Sequence, residues 1–110
     1  MTTFAVARLH DVQLGPPIVE YLRRIDDTLR PFGGRFVLHG GAVERIEGDW
    51  TGDLVAIAFP DRGTARDWYG SAAYQAILPL RTRHSRGDVI FIDAVPDGHK
   101  ATDILGELAD

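Results

Sequence analysis

The apolar positions of this chain alternate between the two-residue rhythm of strands and the three-and-four rhythm of helices. TFAVARLH (3–10) is a short apolar run with β-branched and aromatic content and predicts a strand. The loop DVQLGPP follows, and Pro17 is placed for a helix's first turn. Ile18, Leu22, Ile25, Leu29 and Phe32 then recur at steps of four and three, one stripe of an amphipathic helix. Pro31 and the pair Gly33-Gly34 end it.

RFVLH (35–39) predicts the next strand. Gly40 and Gly41 interrupt it, as at a bulge or a close backbone approach, which would turn the ring of His39 inward. AVERIEG resumes the alternation, with Val43 and Ile46 expected inward after a change of register. DWTGD supplies a turn, and LVAIAF (54–59) is a strand apolar on both faces. PDRGTARDWYGSAAYQAIL is helical, with Asp61 as its cap. Gly70-Ser71 divides that helix, Ser71 capping the second segment. DVIFIDAV (88–95) is the last strand. The expected single domain covers 1–98, and the tail 99–110, HKATDILGELAD, reads as a short helix weakened by Gly106.

The order β-α-β-β-α-β predicts an α+β, ferredoxin-like fold: a four-stranded antiparallel sheet with two helices on one face. Neither LVAIAF nor VIFI has a polar face, whereas a sheet covered on one side shows cleaner alternation. The second face is therefore expected to meet another copy of the chain.

Composition narrows the function classes. At 110 residues, 45% hydrophobic and 25% charged, the chain suits one folded domain. Cysteine is absent, which removes disulfides and thiolate chemistry. No apolar run approaches a membrane span, and MTTFAVARLH lacks the pattern of a signal peptide, so a cytoplasmic protein is expected. The net charge of −4 disfavours nucleic acid, and RTRHSR (81–86) has no interleaved aromatic platform. His10, His39, His84 and His99 show no metal-binding spacing. Phosphate loops, dinucleotide fingerprints and nucleophile elbows are also absent, so no cofactor is expected.

GGRFVLHGGAVERIEGDW (33–50), LVAIAFPD (54–61), WYGSAAYQAILPLR (68–81) and GDVIFIDAV (87–95) together resemble the family called domain of unknown function 1330, in the dimeric α/β-barrel superfamily. The resemblance spans roughly residues 3–96. It implies a homodimer whose two sheets face each other, and no settled activity. Related families include small monooxygenases, isomerases and dehalogenase-like enzymes, a likeness of fold that does not fix chemistry.

His39 is the candidate catalytic residue, because a histidine at a strand end can exchange protons near neutral pH. Its bland counterpart is a structural histidine bonded to a backbone carbonyl. Arg8, Tyr69, Tyr74 and Arg81 are the candidate ligand-binding residues. Arg8 lies inside the first strand, where an arginine either reaches solvent or holds a carboxylate, and pairing with Asp93 is the bland alternative. Arg81 either clamps an anion or caps helix carbonyls. Ala65, Trp68, Tyr69, Ala72, Ala73, Ala76 and Ile77 form an expected sheet-facing stripe, with Trp68 as core and the two tyrosines at a pocket edge. Two readings follow: a barrel that binds or transforms a small organic or anionic ligand, or a non-catalytic dimeric module. A cavity of ~300 Å³ or more beside His39 separates them.

Overall fold

The structure, a computed structural model, describes residues 1–108; Ala109 and Asp110, at the end of the expected tail, lie outside them. Four strands, β1 (Thr3–His10), β2 (Arg35–His39), β3 (Asp53–Phe59) and β4 (Arg86–Asp93), form one antiparallel sheet in the order β2-β3-β1-β4. Helix α1 (Pro16–Leu29) joins β1 to β2, and α2 (Arg62–Tyr69) with α3 (Ala72–Thr82) joins β3 to β4. This is the expected ferredoxin-like arrangement, with the second helix in two pieces.

The division has a local cause. Asp61 accepts a hydrogen bond from the Thr64 amide at 2.7 Å and starts α2. Ser71 starts α3 in the same way, its hydroxyl accepting from the Tyr74 amide at 3.3 Å. The break resets the helical phase, so the expected alanine stripe does not form. Ala72, Ala73 and Ala76 are exposed, while Tyr74, Ile77 and Arg81 are the buried face of α3.

Strand parity divides the sheet into two faces. Ala5, Ile57 and Phe91 are cross-strand neighbours on the helix side, within the core built on Tyr21, Ile25, Leu29, Phe59, Trp68, Tyr74 and Ile77. Val6, Ala56 and Ile90 are neighbours on the other side, as are Phe4, Ala58 and Ile92. No helix covers that side among the described residues, and Leu38, Ile90 and Ile92 are about half exposed on it (50%, 53% and 49%).

Strand β2 departs from the expected geometry. The irregularity falls at Val37: Phe36 pairs with Ile57, Leu38 with Ala56 and His39 with Val55. One extra residue reverses the parity, so Phe36 and His39 share the helix side despite being an odd number of residues apart. Gly40 follows with φ +61°, a left-handed conformation that glycine adopts without a Cβ clash. It turns the chain away from β3, and residues 41–52 form no strand. The expected inward placement of Val43 and Ile46 is therefore corrected: their exposures are 63% and 81%. Gly34 has a different duty. A Cβ there would come within 2.8 Å of Phe59 and Leu29, so the chain can approach the core only without one.

After β4 a helical turn at Ala101–Asp103 leads into the short helix α4 (Ile104–Leu108). No helix among the described residues is long and apolar enough to cross a membrane.

Candidate functional site

A cavity of about 280 Å³ lies on the helix side of the sheet. Ala5, Ala7 and Leu9 of β1, Val55 and Ile57 of β3 and Val89 of β4 form its strand wall. Ile18, Tyr21 and Ile25 of α1 and Trp68, Tyr69, Tyr74 and Arg81 of α2 and α3 form the helical wall. The small side chains of Ala5 and Ala7 create the space, because large residues there would reach the helices. Phe36 and His39 close one edge.

Four of the five sequence-predicted site residues meet here: His39, Tyr69, Tyr74 and Arg81. Arg8 does not. Its even position on β1 turns it to the opposite face, where its Nε donates to the Thr51 carbonyl at 3.1 Å and its guanidinium lies 4.7 Å from the centre of the Trp50 ring. The alternative pairing with Asp93 fails as well. Arg8 stands opposite Asp88, and Asp93 accepts instead from the Thr3 hydroxyl at 2.8 Å and from Arg62 at 3.1 Å.

Trp68 is core, 2% exposed, and donates its indole N–H to the Thr28 hydroxyl at 3.0 Å. Its ring centre lies 4.1 Å from that of Tyr74, and Tyr69 sits 5.4 Å from the same ring. Tyr74 is equally buried, and its hydroxyl meets that of Tyr21 at 2.8 Å. Tyr21 is the site residue that the sequence reading missed. Burial pushes its hydroxyl far above the ordinary phenol range, Tyr74 adds to this, and Arg81 works against it. At neutral pH Tyr21 therefore offers a dipole rather than a charge.

Arg81 is 8% exposed and forms no salt bridge among the described residues. Its guanidinium faces the ring of Tyr21 from 5.9 Å, with the phenol oxygens of Tyr21 and Tyr74 beside it. Burial works against its charge, yet the phenol oxygens of Tyr74 and Tyr21 outweigh that, so its pKa stands above the ordinary value. A buried cation whose neighbours are dipoles keeps its charge and lacks an anion.

His39 stands at the exposed rim, its ring stacked on Phe36 at 4.5 Å and 12°. No side-chain hydrogen bond holds it among the described residues. Asp53 and Ser85 supply further polar lining. No cluster of metal-ligating side chains exists among the described residues.

Solved structures share this fold at low identity. A protein of unknown function from Rhodopseudomonas palustris aligns with a TM-score of 0.65 and 16% identity, over 86% of this chain and 83% of its own. SnoaB, a cofactor-independent oxygenase from Streptomyces nogalater, aligns with a TM-score of 0.57 and 19% identity, over 90% and 98%. An antibiotic biosynthesis monooxygenase aligns with a TM-score of 0.53 and 19% identity, over 87% and 100%. At these identities the likeness is one of fold. No curated protein sequence matches the chain. Its strand order, its glycine-turned second strand and its aromatic helix pair sit within a single family match over residues 2–95, and the chain belongs to the family of the domain of unknown function DUF1330.

Proposed function

We propose that this protein binds a small organic molecule in the cavity between sheet and helices, acts on it without a resident cofactor, and does so as a homodimer. The observation that carries this reading is Arg81: a buried cation with no carboxylate partner among the described residues, on the wall of an apolar cavity. Burying a charge without a counter-ion costs desolvation, and here two neutral phenols stand where an anion would offset it. A ligand with an anionic or carbonyl oxygen supplies the missing partner. His39 at the rim would exchange a proton with such a ligand, since no side-chain hydrogen bond holds its ring among the described residues. The cavity, at about 280 Å³ with His39 in its lining, falls just short of the ~300 Å³ that separates the two readings, so its volume alone does not decide between them. The shared fold with a cofactor-independent oxygenase makes chemistry without a cofactor reasonable for this architecture.

The test is a thermal-shift screen of the full chain against a metabolite library, because binding to the native state raises stability. The expected result is a hit whose stabilisation is lost in Arg81→Ala and reduced or uncoupled from turnover in His39→Ala. Hits that stabilise both variants as well as the parent would leave these residues without a ligand role. The dimeric interaction module would then be the better reading.

A further inference from the structure

We infer that the cavity selects a flat monocarboxylate of one or two rings, its carboxylate held by Arg81 together with the Tyr21–Tyr74 hydroxyl pair. The inference rests on the cavity being the ligand site, and adds the charge, shape and size of what enters.

The charge follows from counting. Arg81 is the cation of the lining, and one guanidinium neutralises one negative charge. It lies in the last turn of α3, where the outgoing carbonyls carry partial negative charge and oppose a second one. Asp53, the carboxylate of the lining, opposes it further. A phosphate dianion would meet no second arginine or lysine among the described lining residues. A carboxylate matches the planar fork of a single arginine.

The hydroxyl pair completes the donor set. Two phenol oxygens 2.8 Å apart share one hydrogen, leaving the second O–H of the pair to find another acceptor. Both oxygens influence Arg81 and both residues line the cavity. The free O–H and the guanidinium N–H groups therefore converge as donors for one anionic group. Tyr21, absent from the sequence candidates, becomes a specificity residue on this reading.

The shape follows from the walls. Trp68, Tyr69, Phe36 and His39 present rings, and Ala5 and Ala7 present a low surface opposite the helices. Flat ligands gain more contact between such walls than branched ones. The size follows from volume: 280 Å³ accepts on the order of ten non-hydrogen atoms, taking about 30 Å³ per water of liquid as the scale.

The experiment measures affinity of the full chain for benzoate, benzyl alcohol, cyclohexanecarboxylate and inorganic phosphate by calorimetry or ligand-observed NMR. Benzoate is expected to bind at least about tenfold more tightly than benzyl alcohol, the worth of a charge-assisted hydrogen bond. Cyclohexanecarboxylate should be weaker than benzoate, and phosphate should not compete. Tyr21→Phe should reduce the preference for benzoate over benzyl alcohol several-fold while leaving benzyl alcohol binding in place. Equal binding of benzoate and benzyl alcohol to the parent protein would overturn the carboxylate assignment while leaving the cavity reading intact. Competition by phosphate would overturn the single-charge argument. Binding of neither aromatic probe would overturn this inference and leave the cavity reading to the library screen. The decisive comparison uses the parent protein, so it does not depend on any variant folding.

Discussion

Phe36 and His39 stack face to face at 4.5 Å, although regular strand geometry would send them to opposite sides of the sheet. The extra residue at Val37 brings them together. His39 is exposed and lacks a side-chain hydrogen bond among the described residues, so its contribution to stability should be small. His39→Ala is expected to change unfolding free energy by less than about 0.5 kcal/mol, whereas Phe36→Ala, half-buried against the core, should cost about 2 kcal/mol. Urea denaturation of the two variants checks this. A His39→Ala cost equal to that of Phe36→Ala would mark the histidine as structural.

Arg81 should behave unlike most buried residues. Replacing a buried cation that has no counter-ion by an apolar side chain of similar length removes a desolvation penalty. The contacts to the two phenols offset that penalty, so Arg81→Met is expected to change stability by less than about 1 kcal/mol in the absence of ligand. Differential scanning calorimetry reads the change directly. A variant that melts well below the parent would mean that the guanidinium holds the helices together.

Acid should weaken the fold through two carboxyls. The Thr3 hydroxyl, ahead of Arg62, holds Asp93 below the ordinary carboxylate value of 3.8, and Thr64 does the same for Asp61. A depressed native pKa means that the unfolded chain takes up protons first as pH falls. The stabilisation is present above pH 3.8 and is lost as pH drops through that value toward the native pKa. Asp93→Asn should flatten this acid limb while leaving a hydrogen bond for Thr3. Unfolding curves between about pH 5 and about pH 2, which bracket the carboxylate range, report the slope. An unchanged slope would exclude Asp93 as its source.

The open face of the sheet predicts association. Leu38, Ile90 and Ile92 are half exposed on one contiguous surface beside Phe4 and Val6. Sedimentation at micromolar concentration should give twice the 12.1 kDa chain mass, and Ile90→Lys should give the monomer with its fold retained. A parent protein that sediments at 12.1 kDa removes the dimer from the proposal.

The strands and helices were legible because their apolar periods are strong and their caps, Asp61 and Ser71, are ordinary ones. Tyr21 was legible in principle. It lies three after Ile18 and four before Ile25, so it satisfies the helical stripe as well as Leu22 does, and Leu22 is the one left exposed. The side chain of Arg8 was ambiguous because both faces of β1 are apolar, which leaves two-residue parity without a reference. The bulge at Val37 carries no residue signature. The glycine pair drew the expectation of a bulge three residues downstream of where the register changes. The α3 stripe was misphased for a related reason: a period read across Gly70 assumes one continuous helix, and the chain has two.

Alternate residues of β1 serve different readers. Ala5, Ala7 and Leu9 set the floor of the cavity, and Phe4, Val6 and Arg8 form the outer surface. Substitution can therefore retune either set without disturbing its neighbours. Insertion or deletion of one residue cannot, because it would exchange the two sets at once, placing an arginine over the floor and alanines on the outer surface. Relatives that diverge in ligand are thus expected to vary at odd positions of β1 and to keep its length.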